Sequence, residues 1–447
     1  MSPLPESFCE RIKNQFSIEG NSLLESLNKS AITSIRLNKF KAYNHPFDAR
    51  IPWNEDGYYL AQRPLFTADP YFHAGAYYVQ EASSMIIAAI FKKLFDPEEV
   101  IKAVDLCAAP GGKSTLLMGL LNKNSYLVSN EFVALRASIL QENIIKWGLG
   151  NAFITNNAVA HFGKLKHHFD LMLLDAPCSG EGLFRKDEDA RQEWSEQNCD
   201  LCVSRQEKII YDGWDCLKPG GYMLYATCTF NEEENEKLLA RMQPNLEAAT
   251  VKIDFPELWG ITTVRSGNII GYQFFPHKTK GEGFFIAVFK KNGVRKINIP
   301  KTLHPKKGIE KPIEEIIGNN FDVVKFKEQW HAVKSEMYED FPLINKCMNL
   351  KYVGTEIGEI INKKLIPAHS LAMSPFLNLA IFERIEVDES QAILYLSRKE
   401  FNIQSDSLGW KLICFKGMPM GFIKHLGNRW NNYYPQQWRI RMDIKLP

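Results

Sequence analysis

The chain has 447 residues, of which 45% are hydrophobic and 24% are charged, so it is long enough for two or three domains. Its 28 Gly and 22 Pro are ordinary amounts, which excludes a disordered or collagen-like chain. The longest apolar runs fall far short of the roughly 20 residues that a membrane span needs. The N-terminus lacks the basic and apolar regions of a secretory signal, and nine scattered Cys are typical of reduced thiols. We therefore expect a cytoplasmic protein.

The net charge of +2 is unevenly distributed along the chain. Residues 1–75 carry 8 Lys+Arg and 8 Asp+Glu, residues 76–290 carry 22 and 27, and residues 291–447 carry 24 and 17. The basic C-terminal third is a modest indication of a polyanionic partner. An ordinary Lys-rich surface explains the same charge equally well.

Strand-like and helix-like segments alternate through the middle of the chain. Short β-branched or apolar runs predict strands at 100–106, 126–129, 152–155, 169–174 and 222–226, and helical spacing predicts helices at 113–122, 134–147 and 187–217. This alternation predicts βαβ units and a parallel sheet covered on both faces. Two further strands, at 267–275 and 283–289, close the sheet.

The last part of the chain has a different pattern. Residues 290–311 are basic and without periodicity, which predicts a linker. Beyond residue 320, short strands at 392–396 and 410–415 with turn residues between them suggest a small separate β-rich module.

A glycine-rich turn, Asp-Leu-Cys-Ala-Ala-Pro-Gly-Gly-Lys-Ser at 105–114, follows a predicted strand and opens a helix. Open α/β sheets bind nucleotide-like ligands at this place. A P-loop needs Gly where Cys107 stands, which disfavours an ATPase. The turn suits a ligand without a pyrophosphate, such as S-adenosylmethionine, and we expect a side chain at Gly111 or Gly112 to occupy the space of its methionine moiety. Glu131, after the next strand, can bind ribose hydroxyls or be an ordinary surface residue.

Two cysteines follow consecutive predicted strands. Cys178 lies in Asp-Ala-Pro-Cys-Ser-Gly-Glu-Gly at 175–182, and Cys228 lies in Thr-Cys-Thr at 227–229. Strands that are neighbours in sequence usually pair in space, so both thiols should lie at the carboxyl edge of the sheet. A single Cys in an apolar region is usually inert packing. Two at consecutive strand ends, flanked by small polar residues, indicate chemistry.

Paired thiols suit one reaction in particular. Carbon-5 of cytosine is too weak a nucleophile to attack a methyl sulfonium, but a thiolate added at carbon-6 makes it enamine-like. After methyl transfer the carbon-5 proton must leave before the thiolate does, and a second thiol can assist. A further C-x-x-C, Cys199 to Cys202, lacks the additional ligands that zinc needs and is interpreted as structural. No metal site is expected.

At these motifs the chain resembles the Nol/Nop/Sun family of RNA cytosine-C5 methyltransferases, and within it the bacterial RsmF branch that acts on 16S ribosomal RNA. Ala-Ala-Pro-Gly-Gly-Lys together with Pro-Cys-Ser-Gly and Thr-Cys-Thr is a highly specific combination. The matching segments cover nearly the whole chain: 34–38, 77–85, 106–114, 175–186, 219–230, 365–370 and 424–435.

The resemblance implies an α/β fold with a Rossmann-like S-adenosylmethionine-dependent methyltransferase core, a small N-terminal α+β domain and a C-terminal PUA-like β-rich module. The expected divisions are an N-terminal RNA-binding-like domain at 1–75, the catalytic domain at 76–290, a basic linker at 291–320 and the PUA-like RNA-binding module at 321–447.

The resemblance also implies residue roles. Cys228 is the nucleophile, Cys178 assists release, and Asp175 and Lys113 contact the base or cofactor. Where many members place an acid near the end of the third strand, this chain has Asn157, which can still hydrogen-bond adenine. The implied S-adenosylmethionine site comprises Cys107, Ala108, Ala109, Pro110, Gly111, Gly112, Lys113, Glu131, Asn157 and Asp175.

Other functions remain to be weighed. Transfer RNA is the rival to 16S ribosomal RNA or the small ribosomal subunit as substrate. A non-catalytic RNA-binding protein is disfavoured because both thiols, Lys113 and Asp175 are intact, and DNA enzymes place their nucleophile in Pro-Cys without a Thr-Cys partner. A monomer without a metal or membrane partner is expected. Aromatics at 424–441 can stack on unpaired bases, or, as for Trp430 and Tyr434, form the module's core.

Overall fold

The computed structural model describes residues 2–304, 308–403 and 405–444; residues 305–307 of the predicted basic linker lie outside the described residues. Three helices and a four-stranded antiparallel sheet, in the order β2-β3-β1-β4, form the N-terminal part. Its elements are α1 (Glu6–Phe16), α2 (Ile18–Leu27), β1 (Thr33–Leu37), β2 (Arg50–Ile51), β3 (Asn54–Leu60), α3 (Pro70–His73) and β4 (Tyr77–Val79).

The middle of the chain alternates helices and strands as predicted. The predicted helix over 187–217 is interrupted, because Ser195 caps a new helix by accepting a hydrogen bond from the Asn198 N–H. The elements are α4 (Ile87–Leu94), β5 (Lys102–Asp105), α5 (Gly112–Leu120), β6 (Tyr126–Asn130), α6 (Ala134–Trp147), β7 (Ala152–Thr155), β8 (Phe169–Asp175), α7 (Glu188–Glu193), α8 (Glu196–Trp214), β9 (Leu217–Thr227), α9 (Glu236–Leu246), β10 (Ala248–Thr250), β11 (Thr262–Ser266), β12 (Ile269–Phe274) and β13 (Phe284–Lys291).

The C-terminal part contains two further four-stranded sheets, β14-β15-β17-β18 and β19-β20-β21-β22. The strand predicted at 392–396 is wrong: these residues belong to helix α13, which begins with a capping box between Asp388 and Gln391. The elements are α10 (Lys311–Ile317), β14 (Asp322–Phe326), β15 (Gln329–Val333), α11 (Ser335–Cys347), β16 (Leu350–Val353), β17 (Thr355–Ile361), β18 (Lys364–Pro367), α12 (His369–Met373), β19 (Glu383–Val387), α13 (Glu389–Leu396), β20 (Gly409–Phe415), β21 (Met418–His425) and β22 (Trp430–Asn432).

The central sheet has the strand order β11-β12-β13-β9-β8-β5-β6-β7-β16, with β10 paired to β13. Strands β9, β8, β5, β6 and β7 are parallel to their neighbours in this order, and the outer strands are antiparallel. The chain runs outward from β5 to β6 and then returns to β8 on the other side. This reversal between β5 and β8 makes the crevice in which open α/β sheets bind ligands.

Side chains from helices fill both faces of the central sheet. Helices α4, α5 and α6 contribute to one buried cluster, while α8, α9 and α11 contribute to the other. Within the described residues, none of the helices combines the length and hydropathy that a bilayer crossing requires. The parallel strands are accordingly buried along nearly their whole length, as the continuous apolar runs predict.

The C-terminal part contributes directly to this core. Strand β16 pairs antiparallel with β7, and helix α11 packs its Met337 and Ile344 side chains against the sheet. A truncation after residue 320 would therefore remove one strand and one covering helix of the central sheet. The RNA-binding role of this part has to be tested with point variants.

A buried carboxyl fixes the start of α5 to the end of β5. The Ser114 hydroxyl donates a hydrogen bond of 2.7 Å to Asp105, whose side chain is fully buried. Burial raises the pKa of Asp105 to about 7, although the bond from Ser114 acts in the opposite direction. The glycine-rich turn between these two residues is thus closed at its base.

We expect this buried acid to make stability depend on pH. Between the unfolded pKa near 3.8 and the folded pKa of about 7, only the folded chain retains the proton, so stability falls as pH rises through this interval. The full shift corresponds to at most about 4 kcal/mol. Asp105→Asn should therefore narrow the difference in thermal midpoint between pH 5 and pH 8. An equal pH dependence in both proteins, measured by scanning fluorimetry, would contradict the assignment.

Candidate active site

The two predicted thiols meet where β8 and β9 end. These strands are parallel neighbours with Asp175 opposite Ala226, so the segments that follow them leave at the same edge of the sheet. The sulfur atoms of Cys178 and Cys228 lie 3.2 Å apart, and the Cys228 backbone N–H donates to the Cys178 sulfur at 3.3 Å. Both residues are half-buried.

The two thiols differ in their electrostatic environment. A side-chain hydrogen bond to Cys228, together with burial, raises the pKa of Cys178 well above its usual value. Cys178 therefore retains its proton and can donate a hydrogen bond to the Cys228 sulfur. This arrangement favours Cys228 as the sulfur that carries negative charge.

A half-buried ion pair lies beside the thiols. The Lys113 ammonium donates to Asp175 at 2.7 Å and lies 5.4 Å from the centre of the Phe284 ring. Burial, the largest single influence, acts to lower the pKa of Lys113, but Asp175 together with Cys228 and Asp105 acts in the opposite direction, and the pKa is raised. Negative charge on Cys228 also raises the pKa of Lys113, so the ammonium can in turn stabilise a thiolate at Cys228.

The two glycines of the glycine-rich turn lie close to side chains from other parts of the protein. Gly111 has φ +116°, a conformation that L side chains rarely adopt. A Cβ at Gly112 would lie 3.3 Å from the Tyr78 ring, and one at Gly111 would lie 3.2 Å from Leu140. A Cβ at either position would thus first meet protein atoms, and the expectation that a side chain there would occupy the space of the methionine moiety stays a prediction.

The other side of the crevice carries Glu131. Its carboxylate accepts the Val133 N–H at 2.9 Å and lies 3.7 Å from the Arg136 guanidinium, which also donates to the Ala109 carbonyl at 2.9 Å. Burial raises the pKa of the Cys107 thiol well above its usual value. Cys107 is therefore a neutral side chain that lines the crevice, and Glu131 is a fixed hydrogen-bond acceptor at its rim.

Asn157 is held by partners on two sides. Its side-chain oxygen accepts the Asn349 backbone N–H at 2.9 Å, and its nitrogen lies 2.9 Å from the His161 ring. Asn349 immediately precedes β16, so the C-terminal part of the chain reaches this end of the crevice.

The N-terminal helices contribute contacts that the sequence did not reveal. Arg11 on α1 forms an ion pair of 2.5 Å with the buried Glu181, and Gln15 donates to the Phe230 carbonyl at 3.0 Å. Thus α1 holds the segments after both cysteines. The only signal in the sequence is the helical spacing of Phe8 and Ile12, which are buried in one cluster with Phe230.

Arg36 is another residue that sequence reasoning did not assign. It is buried in the N-terminal sheet, and its guanidinium donates to the Gly112 carbonyl at 3.3 Å and to the Thr115 hydroxyl at 2.7 Å. It also lies over the Trp147 ring at 4.2 Å. The N-terminal domain therefore braces the glycine-rich turn from behind.

Outside the crevice, the aromatics at 424–441 divide between core and surface. Tyr434 is fully buried, whereas Trp430 is half-buried and donates to the Phe401 carbonyl at 3.1 Å. Arg429 and Arg441 are exposed and form no ion pair among the described residues. The arginines are therefore better placed than Tyr434 to contact a polyanion.

The C-x-x-C cysteines lie behind the thiol pair. Cys199 is buried, with ligand-type atoms within 4.8 Å of those of Glu181 and Glu234. Both carboxylates accept hydrogen bonds from protein donors, Trp194 to Glu181 and Gln206 to Glu234 among them.

Sequence profiles match three parts of the chain. The profile described as 16S rRNA methyltransferase RsmB/F covers residues 92–290. The N-terminal domain of 16S rRNA methyltransferase RsmF covers residues 4–82, and the methyltransferase RsmF PUA domain covers residues 382–440.

Full-length relatives and solved structures agree with these profiles. Ribosomal RNA small subunit methyltransferase F of Shewanella loihica is 30% identical over 411 residues, which cover 86% of this chain and 82% of the relative. The same-named protein of Citrobacter koseri is 28% identical, over 97% of this chain and 96% of the relative.

A methyltransferase homologue from Pyrococcus horikoshii has a TM-score of 0.54 at 26% identity, covering 64% of this chain and 95% of its own. NSun6 from the same organism, solved with SFG, shares the fold at a TM-score of 0.55 and 20% identity, covering 65% of this chain and 99% of its own. Profiles, relatives and site geometry agree, and the chain belongs to the RsmF family of S-adenosylmethionine-dependent 16S rRNA methyltransferases.

Proposed function

We propose that this enzyme methylates carbon-5 of a cytosine in 16S ribosomal RNA through a covalent adduct between Cys228 and carbon-6 of the base. The observation that carries the proposal is the pair of sulfur atoms 3.2 Å apart beside the Lys113–Asp175 ion pair. A structural role would need neither two half-buried thiols nor an ammonium beside them. The enzyme acts in the cytoplasm, as a monomer and without a metal ion.

Cys228 is the nucleophile. The raised pKa of Cys178 leaves the proton on that residue, and the Lys113 ammonium favours negative charge on Cys228. The Cys228 thiolate adds to carbon-6 of a cytosine that has left its stack, because the sulfur must approach the face of the ring. Asp175 holds Lys113 in place and contacts the base or the cofactor.

Cys178 acts after methyl transfer. The Cys178 thiol gives its proton to the departing Cys228 sulfur and accepts the carbon-5 proton in its place. The electrons of the carbon-5–hydrogen bond restore the 5,6 double bond as the bond between carbon-6 and the Cys228 sulfur breaks, the methylated base is released, and Cys228 then loses its proton to solvent. Its sulfur lies within hydrogen-bond distance of the Cys228 sulfur, which supports a role at the same ring. Acid–base groups at this distance can transfer a proton directly or through one water.

The crevice fits S-adenosylmethionine. Helix α5 begins at Gly112 without a side-chain cap, which leaves backbone N–H groups for a ligand, and Glu131 supplies a fixed carboxylate for ribose hydroxyls. The walls are formed by the turn from Cys107 to Lys113, and Asn157 frames the adenine end. When bound, the cofactor supplies the methyl group.

Replacing each cysteine should stop the reaction at a different step. With 16S ribosomal RNA or small subunits, Cys228→Ala should abolish both methylation and any covalent link. Cys178→Ala should permit attack and transfer but stall before release, giving a slow band of protein with methylated RNA on denaturing gels. A band in Cys228→Ala that is missing in Cys178→Ala would reverse the two roles.

Bulk transfer RNA and labelled cofactor provide the comparison for this experiment. Label on 16S ribosomal RNA or small subunits, and not on transfer RNA, is the expected outcome. Label on transfer RNA alone would favour the alternative substrate. Absence of any transfer or adduct in the unaltered protein would support a non-catalytic RNA-binding role.

Loss of the Glu131 carboxylate should weaken cofactor binding. Glu131→Gln removes the charge and one acceptor, so we expect S-adenosylmethionine affinity to fall about tenfold, equivalent to about 1.4 kcal/mol. Isothermal titration calorimetry measures this directly, with Glu207→Gln on α8 as the matched control. Equal affinities for the two variants would place the ribose elsewhere.

The exposed arginines of the C-terminal module should contribute to RNA affinity. Arg429→Glu with Arg441→Glu is expected to weaken RNA binding and to reduce the slope of log affinity against log salt by roughly 1 per lost phosphate contact. S-adenosylmethionine affinity should not change. Lys346→Glu on α11 is the control, and an unchanged salt slope in the double variant would assign the module another purpose.

A further inference from the structure

Two buried carboxylates tie the thiol-bearing segments to each other in a reciprocal way. Glu234, which follows Cys228, accepts the Ser179 backbone N–H at 2.9 Å and the Ser179 hydroxyl at 2.5 Å. Glu181, which follows Cys178, accepts the backbone N–H of a residue in the other segment at 3.1 Å. Each segment thus binds the carboxylate that the other one carries.

The two segments also touch directly. The Ser179 hydroxyl lies 2.9 Å from the Thr229 hydroxyl, and the Gly182 N–H donates to the Cys228 carbonyl at 2.8 Å. A Cβ at Gly182 would lie 2.3 Å from the Gly283 carbonyl oxygen and 2.9 Å from that of Cys228. The separation of the two segments is therefore determined over several residues on either side of the sulfur atoms.

Glu234 is the centre of this arrangement. Its side chain is fully buried, and a third donor, the Gln206 amide, reaches it at 3.0 Å while also donating to the Pro177 carbonyl at 3.0 Å. The Tyr225 hydroxyl holds the Glu234 backbone carbonyl at 2.7 Å. Three donors converging on one carboxylate allow a single arrangement, and the residue that they fix, Ser179, is covalently joined to Cys178.

We propose that Glu234 is the positioning residue that holds Cys178 within hydrogen-bond distance of Cys228 and thereby sets the rate at which the covalent adduct is released. The inference rests on the proposed function, because it assigns release to Cys178. Glu234 itself touches no reacting atom. Nothing in its acidic surroundings, Glu232-Glu233-Glu234-Asn235-Glu236, distinguishes it in the sequence.

The substitutions follow from the donors around the carboxylate. Glu234→Ala leaves the Ser179 N–H and the Gln206 amide buried without an acceptor and frees the Cys178 segment. Glu234→Gln keeps an acceptor for both, and its NH₂ group can donate to the Ser179 hydroxyl, which then donates to Thr229. Ser179→Ala keeps the backbone bond and removes only the hydroxyl links, so it tests the same arrangement with less disturbance of the fold.

The closing experiment measures covalent RNA adduct and released product in single turnover. Glu234→Ala should slow release by roughly tenfold to a hundredfold, because a displacement of about 1 Å in a reacting group has effects of that size. The adduct should therefore accumulate as in Cys178→Ala, and S-adenosylmethionine affinity should not change. Ser179→Ala should show a smaller accumulation, Glu234→Gln should release product within a few-fold of the unaltered protein, and Glu233→Ala, with the same charge change one residue away, should behave normally.

A second readout needs no RNA. Alkylation of the free enzyme by iodoacetamide, followed by mass spectrometry, should show a changed rate at Cys178 in Glu234→Ala and an unchanged rate in Glu233→Ala. If Cys178→Ala traps an adduct but neither Glu234→Ala nor Ser179→Ala does, the positioning role is overturned while the proposed function stands. If Cys178→Ala traps nothing, the assignment of release to Cys178 fails first. Equal loss of attack and release in Glu234→Ala would reduce Glu234 to a purely structural residue.

Discussion

Strands β8 and β9 lie side by side and parallel, with Asp175 opposite Ala226, and the meeting of the two thiols depends on this pairing. Parallel strands deliver the segments that follow them to one edge of the sheet. Two cysteines that are 50 residues apart in the chain therefore come within 3.2 Å of each other. A shift in the register of either strand would separate the sulfur atoms and the carboxylates that join their segments.

The methyltransferase crevice is built by more of the chain than its central sheet. Arg11 and Gln15 on α1 hold the segments after both cysteines, Arg36 braces the glycine-rich turn, and Asn349 reaches Asn157 from the C-terminal part. These contacts link the N-terminal and C-terminal parts of the chain with the glycine-rich turn and with the segments that carry the two thiols. Substitutions on the N-terminal helices can therefore alter the placement of the thiols without contacting them.

Burial of acidic groups is an energetic cost of this arrangement. Asp105 and Glu234 are both fully buried, and burial raises the pKa of each to about 7. An unpaired carboxylate in such a position would cost several kcal/mol. The donors from Ser114, Ser179 and Gln206 offset part of that cost, and they also fix the backbone around each acid. The result is that the segments around the candidate site are held rigidly in place.

The fold class, the alternation of strands and helices in the core, the glycine-rich turn and the two cysteine motifs could all be predicted from the sequence. These features are local: they depend on periodicity, on turn residues and on short motifs at strand ends. The sequence signal for the helix at Glu389–Leu396 is local as well, because Asp388 and Gln391 form its capping box, but its apolar residues also fit the pattern of a strand.

Which carboxylate, hydroxyl and arginine among many similar ones contact the site depends on the folded structure. Glu234 lies in a run of acids whose composition is typical of a solvated surface, yet it is buried. Arg36 lies in the N-terminal sheet but contacts the glycine-rich turn of the central domain. Strand β16 pairs with β7, which lies nearly 200 residues earlier in the chain. The sequence also does not show which of Cys178 and Cys228 holds the proton of their hydrogen bond. Such choices depend on distances and burial between segments far apart in the chain, and neither composition nor spacing contains those quantities.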